Sequence, residues 1–211
     1  MAENTAFVSG FFKGIATQSS FANLVTSLYF VYEAMESEFE NSSDVSVKAM
    51  DYSELRRVST LETDMEFFYG PDWSRIISPT KATTKYVARI QEIGKSEPEL
   101  LIAHQYTRYL GDLFGGQMMG GMASKSLGLE PGQGTSFYQF GDIDDAKAFI
   151  DEWYRNLNKL DLTDKQKDAI VDEANLVFAL NIEILEELEG SPFKAMVMLA
   201  INSLKEKFGV Q

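Results

Sequence analysis

The sequence predicts an all-α protein built as a single-domain helical bundle, and three observations carry that prediction. Apolar residues recur at helical spacing over long stretches, and three short segments have the form of helix N-caps. Strand-type alternation is scarce, and neither an internal repeat nor a long Pro-, Gly- or Ser-rich linker divides the chain. At 211 residues and 45% hydrophobic content the chain can bury a substantial core, and its length favours one domain over two.

The first clear element lies between Phe21 and Phe39. There Phe21, Val25, Leu28, Tyr32, Met35 and Phe39 alternate steps of four and three and mark one face of a helix. Ser59 with Glu62, Ser96 with Glu99, and Thr163 with Gln166 have the spacing of capping boxes, so each is expected to open a helix. The last helix is expected to run from Asp164 to Glu189 on a stripe of Ile170, Ala174, Val177, Phe178, Ile184, Leu185 and Leu188. Gly190-Ser191-Pro192 is expected to stop it, and a final helix to follow over Phe193 to Phe208. Asn41 to Ser46 and Gly128 to Gly134 read as surface turns.

Composition narrows the function. A net charge of −13 repels phosphate backbones and anionic lipid, which makes nucleic acid and membrane surfaces poor partners. Without cysteine there is no disulfide, no thiolate catalysis and no cysteine-held metal. No run of about 18 apolar residues reads as a spanning helix.

The informative face lies between Ser96 and Leu127, where His104, Arg108, Asp112, Gly115 and Met119 follow one another at steps of four, four, three and four. That face is polar and small where a core face is apolar. Gly111, Gly115, Gly116, Gly120 and Gly121 share the same helix, each at a cost of up to ~1 kcal/mol relative to Ala. Two readings of these glycines stand: close helix packing, or a flat ligand laid against the backbone. Either predicts a bend near Gly115-Gly116. Tyr32, Tyr86 and Asn181 interrupt other apolar faces and need buried partners, which Arg108 and Asp112 can supply.

Several segments together resemble the heme oxygenases of cyanobacterial and algal plastid type. They are Leu28 to Glu36, Pro98 to His104, Tyr106-Thr107-Arg108-Tyr109-Leu110-Gly111-Asp112 followed by Gly115-Gly116-Gln117, Ile143 to Asp145, and Val171 to Asn175. The resemblance implies heme as both cofactor and substrate, opened to biliverdin with release of CO and Fe2+, and reduced ferredoxin as electron donor. It implies a cyanobacterial cytoplasm or a plastid stroma as location. By position it assigns Asp112, Arg108, Tyr32, Tyr86 and Asn181 to proton delivery through a distal water. It assigns Gly111, Gly115, Gly116, Tyr106 and Phe178 to contact with heme.

Other positions depart from the family pattern. The iron-ligating histidine of the family falls two residues before Met1, so the domain spanning 1–211 is expected to lack the segment that carries it, and no metal ligand is assigned. His104 matches a family histidine that does not bind iron. An ungapped alignment puts Ile150 and Tyr154 where the family has a propionate-binding Lys and Arg, with Arg155 one residue away. Phe114 replaces a small residue, and Gly120-Gly121 replace a basic pair. The alternative expectation is therefore a noncatalytic protein on the same scaffold, bound to a protein partner that the sequence does not identify.

Overall fold

The computed structural model describes residues 18–188 apart from Pro131, and of Gln117 the backbone alone. The expected Gly190-Ser191-Pro192 stop and the Phe193 to Phe208 helix lie outside the described residues. Within them there are helices and turns and no strand, as expected.

Helix α1 (Gln18–Asn41) is the central element. All six stripe residues from Phe21 to Phe39 are buried, and they face α3 (Val58–Tyr69) and α5 (Lys81–Ser96). Each large apolar side chain withdrawn from water there contributes about 1.5–3 kcal/mol. The expected turn after Asn41 is shorter than its composition suggested: Asp44 Oδ1 accepts the N–H groups of Ser46 and Val47 and opens α2 (Val45–Ala49). A single helical turn, α4 (Trp73–Ile76), precedes α5.

Two of the three capping boxes are not used as such. Helix α3 begins at Val58, ahead of Ser59, because Glu36 of α1 accepts the N–H groups of both Arg57 and Val58 on one carboxylate oxygen. The cap comes from another helix. Ser96 closes α5 instead of opening a helix, its hydroxyl donating back to the Glu92 carbonyl at 3.0 Å. Pro98 is the cause: it disfavours helical backbone in the preceding residue, and Glu97 is found at φ −146°, ψ 64°. Thr163 and Gln166 do form a reciprocal capping box, and α9 runs Asp164–Glu187 from it. Helix α8 (Ala146–Leu157) is capped by Asp145, which accepts the Ala148 N–H at 3.0 Å.

After a short 3-10 turn at Pro98–Leu100 the chain continues as α6 (Leu101–Gln105), a wide π turn at Tyr106–Leu110, and α7 (Gly111–Leu127). A departure from α geometry thus falls on Tyr106–Leu110, ahead of the glycines, and Gly115 and Gly116 lie within α7. π turns are a recognised cause of helix bends and often sit at functional sites. Gly128 ends α7 in the left-handed conformation, φ +65°.

A buried buttress fixes α7. Asp64 of α3 accepts the N–H groups of Ser136 and Phe137, each at 2.8 Å, and the Arg57 guanidinium lies 3.9 Å from the centre of the Phe140 ring while donating to the Gln139 carbonyl. These bonds hold residues 135–140 so that Tyr138 seats against Gly116 and Gly120. A Cβ on Gly120 would stand 2.9 Å from the Tyr138 Cβ, whereas one on Gly121 would meet nothing within 4 Å.

Gly120→Ala should therefore cost about 1–3 kcal/mol through overpacking. Gly121→Ala should add up to ~1 kcal/mol through helix propensity alone. Urea denaturation of the two variants checks this; stabilisation by both would remove the packing role of Gly120.

Candidate functional site

Four elements bring the predicted polar residues together. The π turn carries Arg108, and Asp112 follows in the first turn of α7. Helix α1 presents Tyr32 and α9 presents Asn181. The Tyr32 hydroxyl and Arg108 Nη2 both donate to Asp112 Oδ2, the second at 3.0 Å. Arg108 Nη1 donates to Asn181 Oδ1 at 2.9 Å, and Asn181 Nδ2 donates back along its own helix to the Val177 carbonyl at 2.8 Å. Tyr86, on α5, is fully buried; its hydroxyl lies near enough to Asn181 for that amide to act on it, but no hydrogen bond of good geometry forms among the described residues.

Burial pushes the Asp112 carboxyl up from its ordinary range, and Arg108 and the Tyr32 hydroxyl pull it back. Burial also works against the Arg108 charge, but Asp112 leads the tyrosine partners in holding it firmly protonated. Tyr32 stays protonated because it is buried and faces a carboxylate, and Tyr86 because it is buried. Both described bonds to Asp112 fall on Oδ2, and Oδ1 makes no hydrogen bond among the described residues.

The five glycines divide into two sets. Gly116 and Gly120 are filled by Tyr138. Around Gly111 and Gly121 a Cβ would meet nothing within 4 Å, and around Gly115 only the Met119 sulfur at 4.0 Å. Bare backbone therefore lies open beside Asp112, at Gly111 and Gly115, as a flat ligand requires. Of the other expected contact residues, Gly116 is committed to packing, Phe178 is half-buried on α9, and Tyr106 is half-buried in the π turn. The Tyr106 ring stacks on Trp153 at 6.0 Å and meets Tyr154 edge-on at 6.3 Å. Ile150 packs into the core edge from α8, Arg155 is exposed, and Phe114 is 84% exposed.

Sequence reasoning passed over Glu173 and Arg89. Glu173 of α9 is buried and takes two donors from Arg89 of α5, at 3.0 and 2.5 Å, and one contact with His104 Nε2 at 3.0 Å. A signal was present: Glu173 interrupts an apolar stripe just as Asn181 does, two turns earlier on the same helix. His104 is fully buried and bound to that carboxylate, so it pins α6 to α9.

Burial opposes the Glu173 charge, but the His104 and Arg89 contacts outweigh it and hold the carboxyl at about 2, against an ordinary 4.5. With the folded pKa below the unfolded one, the stabilisation is complete above about pH 4.5 and is lost as pH falls toward 2. Glu173→Gln should cost on the order of 3 kcal/mol at neutral pH, since it leaves Arg89 and His104 without their carboxylate. The difference from wild type should shrink between pH 4.5 and pH 2 in denaturant titrations. A difference that stays constant down to pH 2 would contradict the assigned ion pair.

Comparison with known proteins is consistent with this geometry. The family model described as heme oxygenase matches residues 1–187. Heme oxygenase 1 of Nostoc sp. is 46% identical over 208 residues, 98% of this chain and 87% of that protein. The heme oxygenase of Porphyra purpurea is 42% identical over 207 residues, 98% of this chain and 88% of that protein. The crystal structure of heme oxygenase-1 from Synechocystis sp. PCC6803 in complex with heme superposes with a TM-score of 0.82 at 42% identity, covering 97% of this chain and 92% of that one. With a family match across nearly its whole length and relatives this similar, the chain belongs to the heme oxygenase family.

Proposed function

We propose that this protein opens heme to biliverdin with release of CO and Fe2+, drawing electrons from reduced ferredoxin. The observation that carries the reading is the bonded set of Tyr32, Asp112, Arg108 and Asn181 beside open backbone at Gly111 and Gly115. The site fits heme on that side: a flat macrocycle needs backbone without Cβ atoms, and the two glycines provide it one helical turn apart. Phe178 and Tyr106 stand as further contacts. The similarity to cyanobacterial and algal proteins supports the proposal of ferredoxin as donor and of a plastid or cyanobacterial setting.

When bound, heme supplies the iron centre that activates dioxygen and is itself the substrate. The chain supplies proton control. Arg108 and Tyr32 keep their own protons, so the movable proton belongs to Asp112 and to water held at Oδ1. Two donors on Oδ2 fix the rotation of the carboxylate and aim Oδ1 consistently, while Asn181 fixes the guanidinium that does the aiming. His104 is committed to Glu173 and takes no part in holding iron.

A second reading, a noncatalytic protein with an unidentified protein partner, draws on α8. Ile150 packs against the core and Tyr154 against Tyr106, at the positions where the resemblance puts a propionate-binding Lys and Arg, so neither side chain supplies a cation. The two readings separate in one experiment. Hemin-loaded protein given reduced ferredoxin should form biliverdin, and Asp112→Ala should lower that rate about 100-fold or more while keeping hemin bound. Folded protein that loads hemin and forms no biliverdin, or fails to load it, would favour the noncatalytic reading.

A further inference from the structure

Three buried side-chain atoms lack a hydrogen-bond partner among the described residues: Tyr86 Oη, His104 Nδ1 and Arg108 Nε. They belong to neighbouring groups. The Tyr86 and His104 rings are 5.6 Å apart, and the Arg108 charge and the Asn181 amide both act on the Tyr86 hydroxyl. Buried polar atoms without partners are rare, and three adjoining ones call for a joint solution.

The tautomer of His104 supplies it. Nε2 lies 3.0 Å from a carboxylate oxygen of Glu173 that is itself clamped by Arg89. An ionised carboxylate only accepts, so Nε2 carries the hydrogen, and the neutral ring then presents Nδ1 as a bare acceptor. We propose that the Tyr86 hydroxyl reaches His104 Nδ1 through one trapped water, making Arg89, Glu173 and His104 a positioning unit for Tyr86 and Arg108. The bookkeeping closes around that water: it accepts from Tyr86 O–H and Arg108 Nε–H and donates to Nδ1, while Nε2–H goes to Glu173. The other tautomer would set a bare nitrogen against the Glu173 carboxylate and leave Nδ1–H and Tyr86 O–H as competing donors.

The consequence for catalysis, that Arg108 and through it Asp112 are oriented from the far side of α9, rests on the proposed heme oxygenase activity. The arrangement itself does not, so it is tested without heme. His104 is the one histidine in the chain, so a full-length protein labelled with 15N-histidine gives a single imidazole pattern in proton–nitrogen correlation spectra at pH 7. The expected wild-type pattern is a neutral ring protonated at Nε2, with Nδ1 shifted upfield of a free imine nitrogen. Tyr86→Phe should move Nδ1 downfield toward the free value and leave Nε2 in place, its unchanged resonance reporting an intact Glu173 contact. A cationic ring, a ring protonated at Nδ1, a wild-type Nδ1 at the free value, or an Nδ1 indifferent to Tyr86→Phe would overturn the proposal. A protein that shows the expected pattern yet fails to open heme would overturn only the functional reading.

Discussion

A carboxylate drawn largely into the protein interior is the constraint on which this structure turns. Leaving Asp112 buried and alone would cost several kcal/mol, and a buried charge survives only when its partners are brought to it. Those partners come from three directions: Arg108 from one turn earlier, Tyr32 from α1 and, behind Arg108, Asn181 from α9. Satisfying one acidic side chain therefore sets the mutual placement of α1, α7 and α9. The π turn lies where this set must be assembled, with Arg108 inside it and Asp112 just past its end.

Helix α9 serves as the rail for that assembly. Along it, Glu173 meets His104 and Arg89, Asn181 meets Arg108, Glu183 meets Lys85 at 2.6 Å, and Glu187 accepts the Ala82 N–H at 3.0 Å. The inner contacts are buried and position the site. The outer pair, Lys85 with Glu183, is more than a third exposed and adds little stability beyond register. On the opposite side, Tyr138 in its glycine socket prevents α7 from sliding toward the 135–140 segment, so the open backbone of Gly111 and Gly115 is held from behind.

What could be read from the sequence was what depends on local pattern. The α1 stripe, the Thr163 capping box and the polar interruptions at Tyr32, Tyr86 and Asn181 all follow from periodicity and the need of buried polar groups for partners. Other features depend on tertiary neighbours and leave no local mark. Five glycines look alike in sequence, yet only Gly116 and Gly120 face Tyr138, about twenty residues further along. Ser59 and Glu62 have the right spacing for a cap, but a carboxylate from α1 was already there. Ser96 was misread because Pro98 acts backwards on Glu97, breaking the helix at that point. The π turn has no residue signature of its own, and it adds an irregularity at Tyr106–Leu110, ahead of the glycines.

The borrowed cap on α3 bears on how the chain folds. An isolated helix of twelve residues is marginal in water, and this one also lacks a side chain of its own to satisfy its first N–H groups. The Arg57 and Val58 N–H groups find their acceptor only once Glu36 is alongside, so the first turn of α3 is secured when it docks on α1. The same carboxylate accepts the Tyr109 hydroxyl, from the π turn, at 3.3 Å. One side chain thus links the nucleation of a distant helix to the segment that holds Arg108, and α1, α3 and the π turn form a single cooperative unit in which local unfolding of one releases the others.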